Sequence, residues 1–282
     1  MSQRTFRRAG GPGRRTRRIR RASAGLTPTR AGAALAMLVS ALAVYGLSAT
    51  SAFGFARLQI EGTTITTEQV VRERLDLAEG ENLFEIATEP LEARIREIPA
   101  VAAAEISLGL PDTVAVRIEE RVPILVWKIG ARRLLVDNTG LLFARLDESA
   151  SVADLPVIDD RRAASPKLGV GESLTPVDLD AATRLASLTP AAVGSAATGL
   201  SVGVTDGNGF VVSSVPESWV AVFGFYTPSL RTTELVPGQV QALREVMIKF
   251  GEPTVATVIL ADDKAGVYIP KPSARPSASP AP

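Results

Sequence analysis

LEARIREIPAVAAAEISLGLPDTVAVRIEERVP, residues 91–123, is the stretch whose reading decides the fold. Leu91, Ile95 and Ile98 fall at i, i+4 and i+7, one apolar stripe of a short helix. Thr88 reads as its N-cap, with Pro90 in the first turn, where a missing N–H costs nothing. Pro99 stops the helix, and the apolar period then changes from 3.6 to 2. Val101–Leu108 and Val114–Glu119 read as strands joined by the hairpin connection Gly109-Leu110-Pro111-Asp112-Thr113. In the second strand Val114, Val116 and Ile118 point one way, and Ala115, Arg117 and Glu119 the other.

Upstream, residues 56–61 (ARLQIE) alternate and read as another strand. Thr66 and Gln69 stand at capping-box spacing and open a helix through about Leu77, with Val71 and Leu75 on one face; Gly80 closes it. The order is β-α-α-β-β in about 65 residues, which a three-stranded sheet with two helices on one face buries compactly.

Downstream the helical period fades. Ile124–Ile129 and Arg133–Val136 read as strands, and Asp137-Asn138-Thr139-Gly140 as a tight turn into Leu141–Ala144. Residues 151–176 hold three prolines and two glycines and read as loop with one short strand at Leu155–Ile158. Asp178–Leu188 reads as a helix with Leu179, Ala182, Leu185 and Ala186 inward. Leu200–Val204 and Phe210–Ser214 flank a strong hairpin signal at 205–209, and Trp219–Phe225 is a further strand. Pro237–Phe250 is an amphipathic helix presenting Val240, Leu243, Val246 and Met247, followed by strands at Thr254–Leu260 and Val267–Ile269. The Pro/Ser/Ala tail, 271–282, lacks what a core needs.

The charges are distributed by place. Of 31 basic and 30 acidic residues, 11 basic and none acidic lie in residues 1–60, so the rest of the chain holds 20 against 30. Ten of those arginines lie between Arg4 and Arg30, ahead of an uncharged 26-residue run from Ala31 to Ala56. As a helix that run is about 39 Å long, enough to cross a hydrocarbon core of about 30 Å. A basic flank of this kind is retained in the cytoplasm, so the acidic remainder, about four-fifths of the chain, is expected outside. A cleaved signal peptide is the alternative: Ala33–Leu47 fits its apolar region and Thr50-Ser51-Ala52 a cleavage site, but the long arginine head argues for an intact anchor. The head, interleaved with Gly, Pro and Ser, reads as a disordered segment meeting anionic lipid rather than nucleic acid. Gly32, Ala36 and Ser40 recur at a spacing that suits close helix packing, which an Ala-rich helix produces readily by chance.

With no cysteine and no histidine, thiolate nucleophiles, imidazole bases and Cys/His zinc sites are excluded. Ser-x-x-Lys, Gly-x-Ser-x-Gly and the phosphate-binding Gly-x4-Gly-Lys motifs do not occur. Glu119 and Glu120 are strand neighbours and face opposite ways, which does not suit paired acid/base work. Asp159-Asp160 and Asp262-Asp263 read as solvated loop carboxylates rather than cation ligands. No catalytic, cofactor or metal residue is expected.

The block Phe55–Asp147 resembles the bacterial cell-division FtsQ/DivIB family. The residues that carry the likeness are RLQIEGTTITT (57–67), GENLF (80–84), LEARIREIPAVAAAEI (91–106), LPDTVAVRIEERVP (110–123), Trp127 and LLVDNTGLLF (134–143). The resemblance implies an α+β protein. It would comprise a basic cytoplasmic segment (1–30), one transmembrane helix (31–56), a POTRA-like β-α-α-β-β domain (57–121), a mixed β-rich domain with flanking helices (122–270) and a disordered tail (271–282). Residues 151–200 match nothing in that pattern and leave the sheet order open. The implied role is a non-catalytic scaffold at the division septum, binding FtsB/DivIC-like and FtsL-like coiled-coil proteins and helping to control septal peptidoglycan synthesis. Its partner-binding region would fall on Val258, Leu260, Val267, Tyr268 and Ile269, where a last strand offers open N–H and C=O groups. Val258 and Leu260 also suit a core position. Glu120, Arg121 and Pro123 are expected at the hinge between the domains. The competing function, a POTRA-bearing assembly factor for exported or outer-membrane proteins, normally continues into repeats or a β-barrel, and neither pattern occurs here.

Overall fold

The computed structural model describes residues 28–48, 50–147 and 155–272. The arginine-rich head and the Pro/Ser tail lie outside those residues, apart from Pro28–Arg30 and Lys271–Pro272. Two units are separated at Ala52.

The first unit contributes one helix, α1, Pro28–Ser48, whose window Pro28–Gly46 is long and apolar enough to cross a membrane. Its 21 residues span about 31 Å, close to the thickness of a hydrocarbon core. The expected rod reached Ala56; the helix instead ends at Ser48. The apolar residues from Phe53 to Ala56 belong to the folded unit: Phe55 is buried in its core, and Phe53 packs edge-on against Phe84 at 5.1 Å.

The second unit opens with the β-α-α-β-β module: β1 Arg57–Glu61, α2 Glu68–Leu75, α3 Thr88–Arg96, β2 Val101–Gly109 and β3 Thr113–Glu120. The sheet order is β1-β3-β2, with β1 parallel and β2 antiparallel to β3. Val71 and Leu75 of α2 and Leu91 and Ile95 of α3 bury against Val101, Ile106, Val114, Val116 and Ile118. Each such side chain contributes roughly 1.5–3 kcal/mol. The caps shift by one residue: Thr67, not Thr66, caps α2 by accepting from the Val70 N–H, and α3 starts at Thr88 with Ala87 at the cap position.

The rest forms one nine-stranded sheet from β4 Leu125–Ile129, β5 Arg132–Val136, β6 Leu142–Leu146, β7 Val157–Asp160, β8 Gly199–Thr205, β9 Gly209–Val215, β10 Val220–Gly224, β11 Val255–Ile259 and β12 Val267–Pro270. Their order is β12-β11-β10-β9-β8-β7-β4-β5-β6. Parallel neighbours need a crossover, usually a helix. Here α4 (Pro176–Ala186) joins β7 to β8, and α5 (Val236–Phe250) joins β10 to β11. Both helices pack into one core with Trp127, Ile158, Trp219 and Phe223.

The short strand expected at Leu155–Ile158 forms as β7, Val157–Asp160, an interior strand parallel to both β4 and β8, and a short 3-10 turn at Ser165–Lys167 follows it. Asp160, read as solvated, is buried in that strand. It accepts from Trp127 Nε1 (3.0 Å), Ser165 Oγ (2.6 Å) and Arg162. Burial pushes its carboxyl up, and the bonds from Arg162 and Ser165 outweigh that, leaving it below the usual carboxylate range.

Candidate partner-binding surface

The edge strand β12 rests on β11, and β11 rests on α5. Helix α5 forms because its apolar residues recur at helical spacing, with Leu243, Val246 and Met247 buried and Val240 partly so. Gln239 is fully buried on the same face, where the apolar stripe alone would not place an amide. It accepts from the Tyr226 hydroxyl at 2.7 Å and donates to the carbonyls of Phe223 (3.0 Å) and Leu260 (2.8 Å). Arg231 donates to the same two carbonyls and to that of Ala261. The ends of β10 and β11 are thus tied to α5 through Gln239 and to the loop before α5 through Arg231, and burial pushes the Tyr226 hydroxyl pKa well above its ordinary value. The loop 261–266 closes over the first turn of α5, where a Cβ on Gly238 would come within 2.4 Å of the Asp263 Cβ.

On this platform β12 pairs antiparallel with β11 through Val267↔Ile259, Tyr268↔Val258 and Ile269↔Thr257. Alternation separates the side chains. Val258 and Leu260 are buried in the core, so they are not available at the surface of the free chain. Tyr268 is half-buried and stacks on Phe250 at the end of α5, ring centroids 3.9 Å apart and 25° between planes. A groove of about 410 Å³ runs here, lined by Glu245, Val246, Lys249, Phe250 and Tyr268 among others. On the opposite face Val267 and Ile269 are 66% and 49% exposed, next to Ile259 at 40%. Cross-strand register continues that line through Val222 and Val211, then into Asp159, Lys128 and Arg133.

Two other edges, those of β2 and β6, carry plugs. On β2 the Ile106 N–H donates to the Glu92 carboxylate at 3.0 Å. On β6 the Leu142 N–H donates to Glu172 O and its carbonyl accepts from Gly171 N, both at 2.8 Å. Among the described residues, no hydrogen bond reaches the outer side of β12. An open edge beside exposed aliphatic side chains can accept an added strand.

The three junction residues behave differently from one another. Glu120 works inside its own module, accepting from the N–H groups of Thr64, Ile65 and Thr66 at 2.6–3.0 Å. Burial pushes its carboxyl up, and those N–H bonds bring it below its usual range. Arg121 bridges the sheets: its guanidinium donates to Pro99 O at 2.9 Å and to Asp137 at 2.7 Å. Asp137 also accepts from the Thr139 N–H and hydroxyl and the Leu141 N–H, building the turn between β5 and β6. Pro123 stands in the short link before β4.

A family model for the POTRA domain, FtsQ-type, matches residues 53–121. The chain is 32% identical over 191 residues to the cell division protein FtsQ of Syntrophotalea carbinolica, covering 65% of this chain and 66% of that protein. The chain belongs to the FtsQ/DivIB family. Further FtsQ relatives are similar over shorter stretches. That of Streptomyces venezuelae is 29% identical over 56% of each chain, and that of Streptomyces coelicolor is 27% identical over 44% of this chain and 46% of its own. The matches thus span about half to two thirds of these relatives' lengths.

Within that FtsQ frame, the segments Glu120-Arg121-Val122-Pro123 and Val136-Asp137-Asn138-Thr139-Gly140 are the two halves of one contact, Arg121 with Asp137. Sequence reasoning placed Arg121 at the junction but missed its partner, Gln239, Arg231 and the two edge plugs. The signal for Gln239 was a polar residue on the buried face of α5. Arg231 lies in an irregular loop and announces nothing locally. Among the described residues no cluster of acidic side chains could hold a metal. Asp262 instead accepts from the backbone of its own turn at Lys264 and Ala265.

Proposed function

We propose that this FtsQ-family chain is a non-catalytic scaffold of the division machinery, held in the cell membrane by α1 at the division septum. In this reading the arginine-rich start stays in the cytoplasm. The POTRA module (57–121) and the FtsQ-type β domain (122–270) work outside, linking FtsB/DivIC-like and FtsL-like coiled-coil proteins and helping to regulate septal peptidoglycan synthesis. The observation that carries the reading is the open outer edge of β12, flanked by exposed Val267 and Ile269, in a sheet whose far edge is plugged. A partner segment adding there as a strand would gain backbone hydrogen bonds from β12 and side-chain contact with Val267 and Ile269. Tyr268 would stay seated on Phe250 and fix the groove beside the edge.

The test is capture of division partners from membranes by the full chain carrying Val267→Lys with Ile269→Lys, alongside a fluorescent fusion at residue 1. Loss of capture with intact folding supports the edge. Undiminished capture together with a uniform membrane signal in dividing cells would overturn both the docking site and the septal role.

A further inference from the structure

The end of the POTRA sheet where the chain arrives from α1 carries exposed apolar side chains that the edge-strand site does not use. Phe84 is 56% exposed, and Leu110, at the tip of the β2–β3 hairpin, is 60% exposed. Both are held near the start of β1 by backbone bonds. Leu83 N donates to Phe53 O (2.9 Å), Gly80 N to Phe55 O (2.8 Å), and Ala56 N and Arg57 N to Asp112 O (2.9 and 3.1 Å). Phe53 packs edge-on against Phe84. The loop is braced by its own bonds: Phe84 N donates to Asn82 Oδ1, and the Ala78 N–H donates to Glu81. Leu83 and Ile86 fill the module's core, and Phe84 lies outside it.

Chain length says what lies within reach. Four residues lie between Ser48, the end of α1, and Phe53, five Cα–Cα steps that span at most about 18 Å. With α1 in a bilayer, a reading on which this inference rests, Phe53 cannot leave the neighbourhood of the interface. Apolar side chains such as Phe and Leu bury at the boundary of headgroups and acyl chains. We infer that Phe84, with Phe53 and Leu110, rests on the lipid headgroup region and sets the stance of the POTRA module on the membrane. Glu79, Glu81 and Glu85 lie close to Phe84 in the chain, so contact stops at headgroup depth and weakens as the bilayer becomes more anionic.

The two native tryptophans, Trp127 and Trp219, are buried, so an added tryptophan can be read separately. The full chain is reconstituted in phosphatidylcholine vesicles with or without acyl chains brominated near the headgroup. Phe84→Trp and Leu110→Trp are compared with Leu230→Trp, at a 92% exposed position of the β domain. The emission added by the first two is expected to shift to shorter wavelength and be quenched by bromine, and that added by Leu230→Trp to be unaffected. Added phosphatidylglycerol should lessen the quenching. Retention of the chain after alkaline carbonate washing with no quenching at position 84 or 110 would overturn the inference alone. Release by the wash would instead remove the anchoring on which it rests.

Discussion

The two ends of the nine-stranded sheet are built to opposite rules. At the β4–β6 end both faces are covered: Trp127, Leu134 and Val136 face the helices, while Val126, Leu135 and Phe143 bury on the other side with Ala100 of the POTRA module. The edge there is closed by Gly171 and Glu172, and the Arg121–Asp137 pair ties it to the preceding module. At the β10–β12 end one face is covered by α5, the other exposes Val267, Ile269 and Ile259, and the outer edge is open. One end spends its apolar residues on stability and the other keeps some exposed. Aliphatic exposure at an edge strand is a liability in a free protein, one that the proposed docking role would account for.

Substitutions that separate stability from binding test that contrast. The largest effect is expected from Asp160→Ala, which strips Trp127, Arg162 and Ser165 of a buried shared partner. A loss of about 3–5 kcal/mol is expected, read by urea unfolding with Trp127 and Trp219 as reporters. Phe143→Ala, at the closed end, should cost a comparable 3–4 kcal/mol or so through the cavity it leaves. A loss below about 1 kcal/mol for Phe143→Ala would mean that the closed end is not where stability resides.

The module junction comes next. In a double-mutant cycle of Arg121→Ala and Asp137→Ala, a coupling of about 1–3 kcal/mol is expected, since the Asp137 side chain is 4% exposed and the pair is 2.7 Å apart. Acid should act through the same groups. Burial raises the pKa values of Glu120, Asp137 and Asp160 and hydrogen bonds lower them further, so each lies below its unfolded value. Groups depressed in this way contribute stability above their unfolded pKa values, near 4, and lose it as pH falls through the folded ones. The urea midpoint should therefore hold from neutral pH to about 5 and fall below about 4, less steeply in Asp137→Asn. The smallest effect on stability belongs to the open end. Val267→Lys and Ile269→Lys should each change it by no more than about 0.5 kcal/mol while abolishing partner capture. A marked drop in melting temperature would make β12 part of the core rather than a docking edge.

Much of this was legible before any coordinates. The stripe Leu91–Ile95–Ile98, the stop at Pro99 and the alternation through Ile118 specify the POTRA module because its contacts are local and periodic. Near the anchor the reading overran by eight residues, because composition cannot say whether Phe53 and Phe55 face lipid or a protein core. Across 151–176 it read one short strand, Leu155–Ile158, that stops two residues before the end of β7, since Asp159 and the buried Asp160 do not look like strand residues.

By itself the chain determined its elements, its membrane-length apolar segment and the strands that close it, because capping, turn chemistry and hydrophobic period are properties of neighbouring residues. Only the tertiary structure decided that β7 lies at the sheet's centre, that Arg121 meets Asp137, that Glu92 and Glu172 close edges, and that Val258 turns inward while Val267 turns out. Those outcomes depend on pairings between distant segments, where competing partners differ by a few kcal/mol and no local pattern marks the winner.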